Sequence, residues 1–150
     1  MTFCMNAGRE RAVLAKHALA FVLGALMVTS TLASGLTGSF YTSAGRAVPA
    51  TTVFGGSYTL LVIVKPWDGS TLDQLKILER RHRTFQGRIR PVVLFLTESR
   101  ATTNQFVKSH RYSFRWYIDV DGEILKLVNP SCLPFVCLVD EHGSIRWQTS

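Results

Sequence analysis

The chain has 150 residues, with 17 Lys and Arg against 10 Asp and Glu, a net charge of +7 and a hydrophobic fraction of 47%. That length fits one compact domain with a short extension, and the composition argues against a disordered chain. The positive balance favours anionic neighbours: phospholipid headgroups, an acidic protein face or nucleic acid.

Arg9, Arg11 and Lys16 precede a stretch without Asp, Glu, Lys or Arg that runs to Arg46, strongest from Ala18 to Val28. A helical membrane crossing needs about 20 mostly apolar residues, which Ala18 to Phe40 supply. The reading is a cytoplasmic N-terminus over 1–16 and a transmembrane anchor or signal segment over 17–40. The basic flank stays inside, and the rest of the chain lies outside the cytoplasm. A cleaved secretory signal has the same basic-then-apolar opening, with Ala33-Ser34-Gly35 as its cut, so both forms stay open. Gly35 after Leu32-Ala33-Ser34, where a lipidated cysteine would stand, argues against a lipid anchor. Residues 41–56, rich in small side chains and broken by Pro49, read as a linker to a domain over 57–150.

Tyr58 to Val64 is a continuous, β-branched apolar run, the pattern of a strand buried on both faces. Lys65-Pro66 ends it, since proline cannot donate to a ladder. Ser70 or Thr71 then caps a helix, with Asp73 or Gln74 as the reciprocal cap. Leu75, Leu78, His82 and Phe85 share its apolar face, and Gly87 stops it. Pro91 to Leu96 is a second buried strand, and Thr102 or Thr103 to His110 a short helix. Ile118 to Asp121 reads as a turn, Gly122 to Val128 as a further helical turn. Phe135 to Val139 is a third strand, returned by a tight turn at Glu141-His142-Gly143 to an edge strand over 144–148. The βαβ unit requires a parallel pair, and the ending is an antiparallel hairpin.

The three cysteines are Cys4, Cys132 and Cys137. An extended run holds Cys132 and Cys137 beyond the roughly 7 Å Cα limit for a disulfide. Cys132, Cys137 and His142 have a metal-like spacing, but a strand between them separates the ligands, so neither metal nor cofactor is expected. His82 reads as a satisfied packing residue, and Trp116 and Tyr117 as packing on the sheet. Arg80, Arg81, Arg83, Arg88 and Arg90 cluster after the first helix, and Arg111 and Arg115 lie among aromatics. Such interleaving can bind single-stranded nucleic acid. Outside the cytoplasm no nucleic-acid partner is expected, and a solvated face, anionic lipid or an acidic protein fits better.

Two passages, Tyr58 to Leu75 and Pro130 to Trp147, resemble the membrane-anchored thioredoxin-like proteins of bacteria, the TlpA/ResA and redoxin group. The resemblance covers residues 57–147. It implies an α/β fold: a thioredoxin-like mixed sheet with flanking helices, behind one N-terminal transmembrane helix, in the bacterial inner membrane. The family's C-terminal helix has no counterpart after the edge strand. One sheet face must then be covered by the 100–128 segment, a second copy or another protein. In the family the first passage ends in Cys-x-x-Cys at a helix start, where Gly69-Ser70-Thr71-Leu72 align here. A thiolate stabilised by the helix dipole, and a second cysteine to resolve the mixed disulfide, are the family's chemistry. By resemblance Pro134 is its cis-proline, facing that motif. The resemblance therefore implies a redox-inactive domain that binds a polypeptide at Trp67, Gly69, Leu133 and Pro134, as an accessory subunit beside other membrane or periplasmic proteins. The alternative is a thiol–disulfide oxidoreductase with Cys132 as a single thiol.

Overall fold

The computed structural model describes residues 35–85, 87–97 and 99–149. The anchor or signal segment therefore lies outside the described residues up to 34. No helix among those described is long and apolar enough to cross a membrane.

The chain order is β1 (Ser39–Tyr41), β2 (Ala47–Pro49), α1 (Ala50–Phe54), β3 (Tyr58–Val64), α2 (Gly69–Arg81), a 3-10 turn (His82–Phe85), β4 (Ile89–Leu96), α3 (Arg100–His110), β5 (Arg115–Asp119), α4 (Glu123–Val128), β6 (Phe135–Val139) and β7 (Ile145–Thr149). The strands form one seven-stranded sheet in the order β2-β1-β5-β4-β3-β6-β7. β3, β4 and β5 are parallel, while β1, β2, β6 and β7 run antiparallel to their neighbours. β3 and β4 occupy the centre, which is why Tyr58 to Val64 and Pro91 to Leu96 read as apolar runs.

Side chains alternate across the sheet and build two cores. Leu61, Ile63, Val92, Leu94, Phe135 and Cys137 face α1 and α4, and Leu36, Phe40 and Phe54 fill that layer. Val62, Val64, Val93 and Phe95 face the other way, against Leu75 and Leu78 of α2 and Phe106 and Val107 of α3. The segment from 100 onward thus covers part of the face expected to need a cover. Beyond α2 that face thins out: Leu60, Val136 and Leu138 are half-buried, and Trp147 is 39% exposed.

Three expectations change. The stretch over 41–56 is no linker: it carries β2 and α1, and Val53 and Phe54 are buried. The predicted anchor over 17–40 overlaps the domain, because Leu36 and Phe40 belong to its core and β1 begins at Ser39. Short strands of three residues leave too little periodicity to be read, and their burial comes from the sheet they join. The predicted turn from Ile118 is the end of a strand, β5, whose Trp116 lies edge-on to Phe95 at 6.0 Å.

Two polar side chains fix the backbone around them, one across the chain and one within a turn. Arg90 Nη2 donates to the carbonyls of Gly55 (2.6 Å) and Val53 (3.2 Å), closing the end of α1. Asp140 is buried at the β6–β7 turn and accepts from the N–H groups of His142 and Ser144 at 2.9 and 2.8 Å. Arg146 completes the set through Nε and Nη2, both at 2.7 Å. Burial pushes the Asp140 carboxyl up, but these bonds outweigh it and hold it below its usual range. Its stabilisation is therefore present above the unfolded value of about 4 and is lost as pH falls through the lower folded value. Asp140→Asn should cost roughly 2 kcal/mol at neutral pH by urea denaturation. The gap to wild type should close in acid, and a gap independent of pH would show that the charge does not matter.

Candidate functional site

The carboxyl end of β3 and the amino end of β6 are level, with Ile63 opposite Phe135. The sheet therefore brings the chain after β3 and the chain before β6 to one end of the molecule. Trp67 and Gly69 lie in the first segment, and Cys132, Leu133 and Pro134 in the second. The Leu133–Pro134 bond is cis, as the resemblance implied.

Trp67 is 59% exposed and has φ of 74°, a left-handed conformation uncommon for a large side chain. Its ring stands edge-on to Phe106 of α3 at 5.0 Å. Phe106 is itself buried between Phe95 and His110, so the exposed indole is braced from beneath. A turn over Pro66 to Asp68 then leads into α2.

The cap of α2 differs from the expected one. Asp68 is the N-cap, and its Oδ1 accepts from Ser70 N–H at 3.1 Å. A carboxylate at this position satisfies a free N–H and meets the positive end of the helix dipole. Ser70 is exposed and Thr71 is buried, its hydroxyl without a hydrogen-bond partner. The side chain that meets the helix N-terminus thus belongs to Asp68 and the buried one a turn inside to Thr71. The slot formed by the N-cap and first turn of α2 is Asp68-Gly69-Ser70-Thr71, beside the Gly69 to Leu72 that the resemblance aligned with the motif. Sequence spacing missed this because Ser70 and Thr71 are also good caps, and only the turn at Trp67 sets the start.

Cys132 is half-buried with a free thiol at this end, whereas Cys137 is fully buried in β6 and its thiol is pushed up to about 12 by burial. Cys137 is therefore a small apolar core residue rather than a nucleophile. Among the described residues no group of three or more His, Cys, Asp and Glu could hold a metal ion.

His82 lies away from this site. Its Nδ1 is 2.8 Å from the Glu79 carbonyl oxygen and its Nε2 3.2 Å from Ser113 Oγ. Ser113 donates to the Glu79 carboxylate through Oγ (2.6 Å) and N–H (2.9 Å). Burial raises the Glu79 carboxyl, but the Ser113 bonds, His82 and Arg83 bring it below its usual range. This is a clip between α2 and the loop after α3.

No family model and no curated protein matches the sequence. Solved structures do match. StoA from Bacillus subtilis superposes with a TM-score of 0.65 at 18% identity, covering 78% of this chain and 89% of its own. A thiol-disulfide oxidoreductase from Bacteroides fragilis gives 0.67 at 19%, covering 77% and 88%. A secreted Mycobacterium tuberculosis disulfide oxidoreductase homologous to E. coli DsbE gives 0.64 at 17%, covering 76% and 83%. The fold is thioredoxin-like. At these identities the likeness carries the architecture of this thioredoxin-like domain and not its chemistry.

Proposed function

We propose that this chain is a membrane-anchored thioredoxin-like domain that binds a polypeptide at the end of the sheet holding Trp67, Gly69, Leu133 and Pro134. It performs no dithiol exchange. It serves as an accessory subunit beside other membrane or periplasmic proteins, in the bacterial inner membrane, with its N-terminus cytoplasmic. The observation that carries the reading is the occupant of the slot: Asp68 caps α2 and Thr71 is buried behind it. Neither can form or resolve a mixed disulfide. What remains at this end is an exposed aromatic braced by Phe106, a surface suited to a chain rather than to a small molecule. The apolar stretch after Lys16 supports the anchor.

A second reading has support of its own. Cys132 is half-exposed at the same end, and solved structures that match include ones named as thiol-disulfide or disulfide oxidoreductases. As a single thiol, its thiolate would attack a substrate disulfide, form a mixed disulfide and release the other sulfur as a thiolate. A thiol of a partner protein would then have to release Cys132.

Disulfide reduction by the full chain in detergent separates the two, with Cys4→Ser as background and Cys132→Ser added to it. The binding reading expects no exchange above that of a small thiol in either protein. Turnover in the first that is lost in the second would replace it with single-thiol chemistry.

A further inference from the structure

Six arginines crowd the end of the domain opposite Trp67, and the chain enters the domain at that same end. β3 and β4 start level, Tyr58 opposite Ile89, and β6 finishes beside them, Val139 opposite Thr59. Here Leu36 N–H donates to the Gly143 carbonyl at 2.8 Å, and Gly35 packs against the His142 carbonyl. The βαβ crossover also returns α2 to this end, which places Arg80, Arg81, Arg83 and Arg88 before the start of β4. The Ser113 bonds to Glu79 hold the loop after α3 against α2, which adds Arg111, and Arg115 opens β5 opposite Val92 on the other face of the sheet.

All six side chains are exposed, and none is in an ion pair among the described residues. The acids nearby are engaged: Glu79 by Ser113, Asp140 by Arg146, and Glu141 beside His142 at 3.5 Å. Asp68, Asp119, Asp121 and Glu123 lie instead in segments that follow the carboxyl ends of β3 and β5 or close them. Lys65, Arg100 and Lys126 accompany those acids, so the surplus of unpaired cations lies at the arginine end, which suits an extended anionic surface.

We propose that this basic end docks on an anionic phospholipid bilayer. Two observations select a bilayer over an acidic protein. The uncharged, apolar stretch that begins at Ala18 runs directly into Gly35, and Leu36 is already in the core. The run from Ala18 to Ser34 is just long enough to cross a bilayer as a helix, so an inserted stretch there would leave Gly35 within roughly one Debye length of the headgroups. Beside the same end, on the α2 face, Tyr58 is 48% and Trp147 39% exposed. Tyr and Trp are the side chains that favour headgroup depth. Docked this way, the end with Trp67 and Pro134 points away from the membrane, open to a partner.

The inference rests on the membrane anchoring proposed above. Its test is backbone hydrogen exchange of the full chain in nanodiscs of phosphatidylcholine, with and without phosphatidylglycerol. The amides of 81–85 and 111–115 should exchange about ten-fold more slowly in the anionic discs, and those of 67–69 equally in both. The protection should vanish in about 0.5 M salt. It should vanish also in Arg80→Gln/Arg83→Gln/Arg88→Gln, while the buried Val93 amide stays protected and reports an intact fold. Equal exchange in both discs, with the chain inserted, overturns the docking and leaves the anchor standing. A chain that does not enter the discs overturns the anchor and the docking with it. The same protection in detergent, at twice the monomer mass, assigns the surface to a second copy and overturns the bilayer.

Discussion

Asp68→Cys together with Thr71→Cys should give this domain a dithiol at the N-terminus of α2 and, with it, dithiol exchange. Asp68 is the residue whose side chain meets the free N–H groups of α2, through Ser70 N–H. A thiol there would sit where the helix dipole favours its thiolate. Thr71 is fully buried one turn on, and its hydroxyl makes no hydrogen bond, so a thiol of similar size replaces it at little cost. Losing the Asp68 cap should cost about 1 kcal/mol, which a folded domain tolerates. The measurement is disulfide reduction by the double variant beside wild type and beside Gly69→Cys/Leu72→Cys. The first pair should exceed wild type by about a hundred-fold or more, through a lowered thiol pKa and an intramolecular resolving step. Greater activity in the second pair would return the slot to Gly69 and Leu72 and remove the structural basis for the proposed loss of chemistry.

Phe40→Ala should remove about 3–5 kcal/mol from the stability of the domain. Phe40 is 0% exposed and lies edge-on to Phe54 and to Tyr117, both at 5.5 Å. Truncating it empties the space between α1 and the sheet and removes two aromatic contacts, each worth about 0.5–1.5 kcal/mol beyond area. For a domain with about 5–15 kcal/mol in total, that is a large share. Urea denaturation of the full chain, followed by near-ultraviolet dichroism, reads the loss directly. A shift below about 1 kcal/mol would take β1 out of the core and return Phe40 to the apolar segment before it.

The unbroken apolar runs of β3, β4 and β6 were legible because a central strand buried on both faces needs apolar residues throughout. Leu75 and Leu78 were legible from helical spacing, and both are buried. Gly87 and Gly143 were legible as stops, and both adopt positive φ. What spacing could not show was the membership of short elements. β1 and β2 have three residues each, and β1 takes its place in the sheet from β5, more than sixty residues away in the chain.

The absence of a Cys-x-x-Cys pair, the basic charge and the apolar stretch after Lys16 are properties of composition and order, and the chain by itself determined them. The tertiary structure alone decided which residue stands at the helix N-terminus, because Asp68, Ser70 and Thr71 are all competent caps and the choice depends on where Trp67 turns against Phe106. It alone decided that Cys132 and Trp67 share one end while six arginines share the other. Sheet register carries residues far apart in sequence to the same level, and no local pattern encodes that distance.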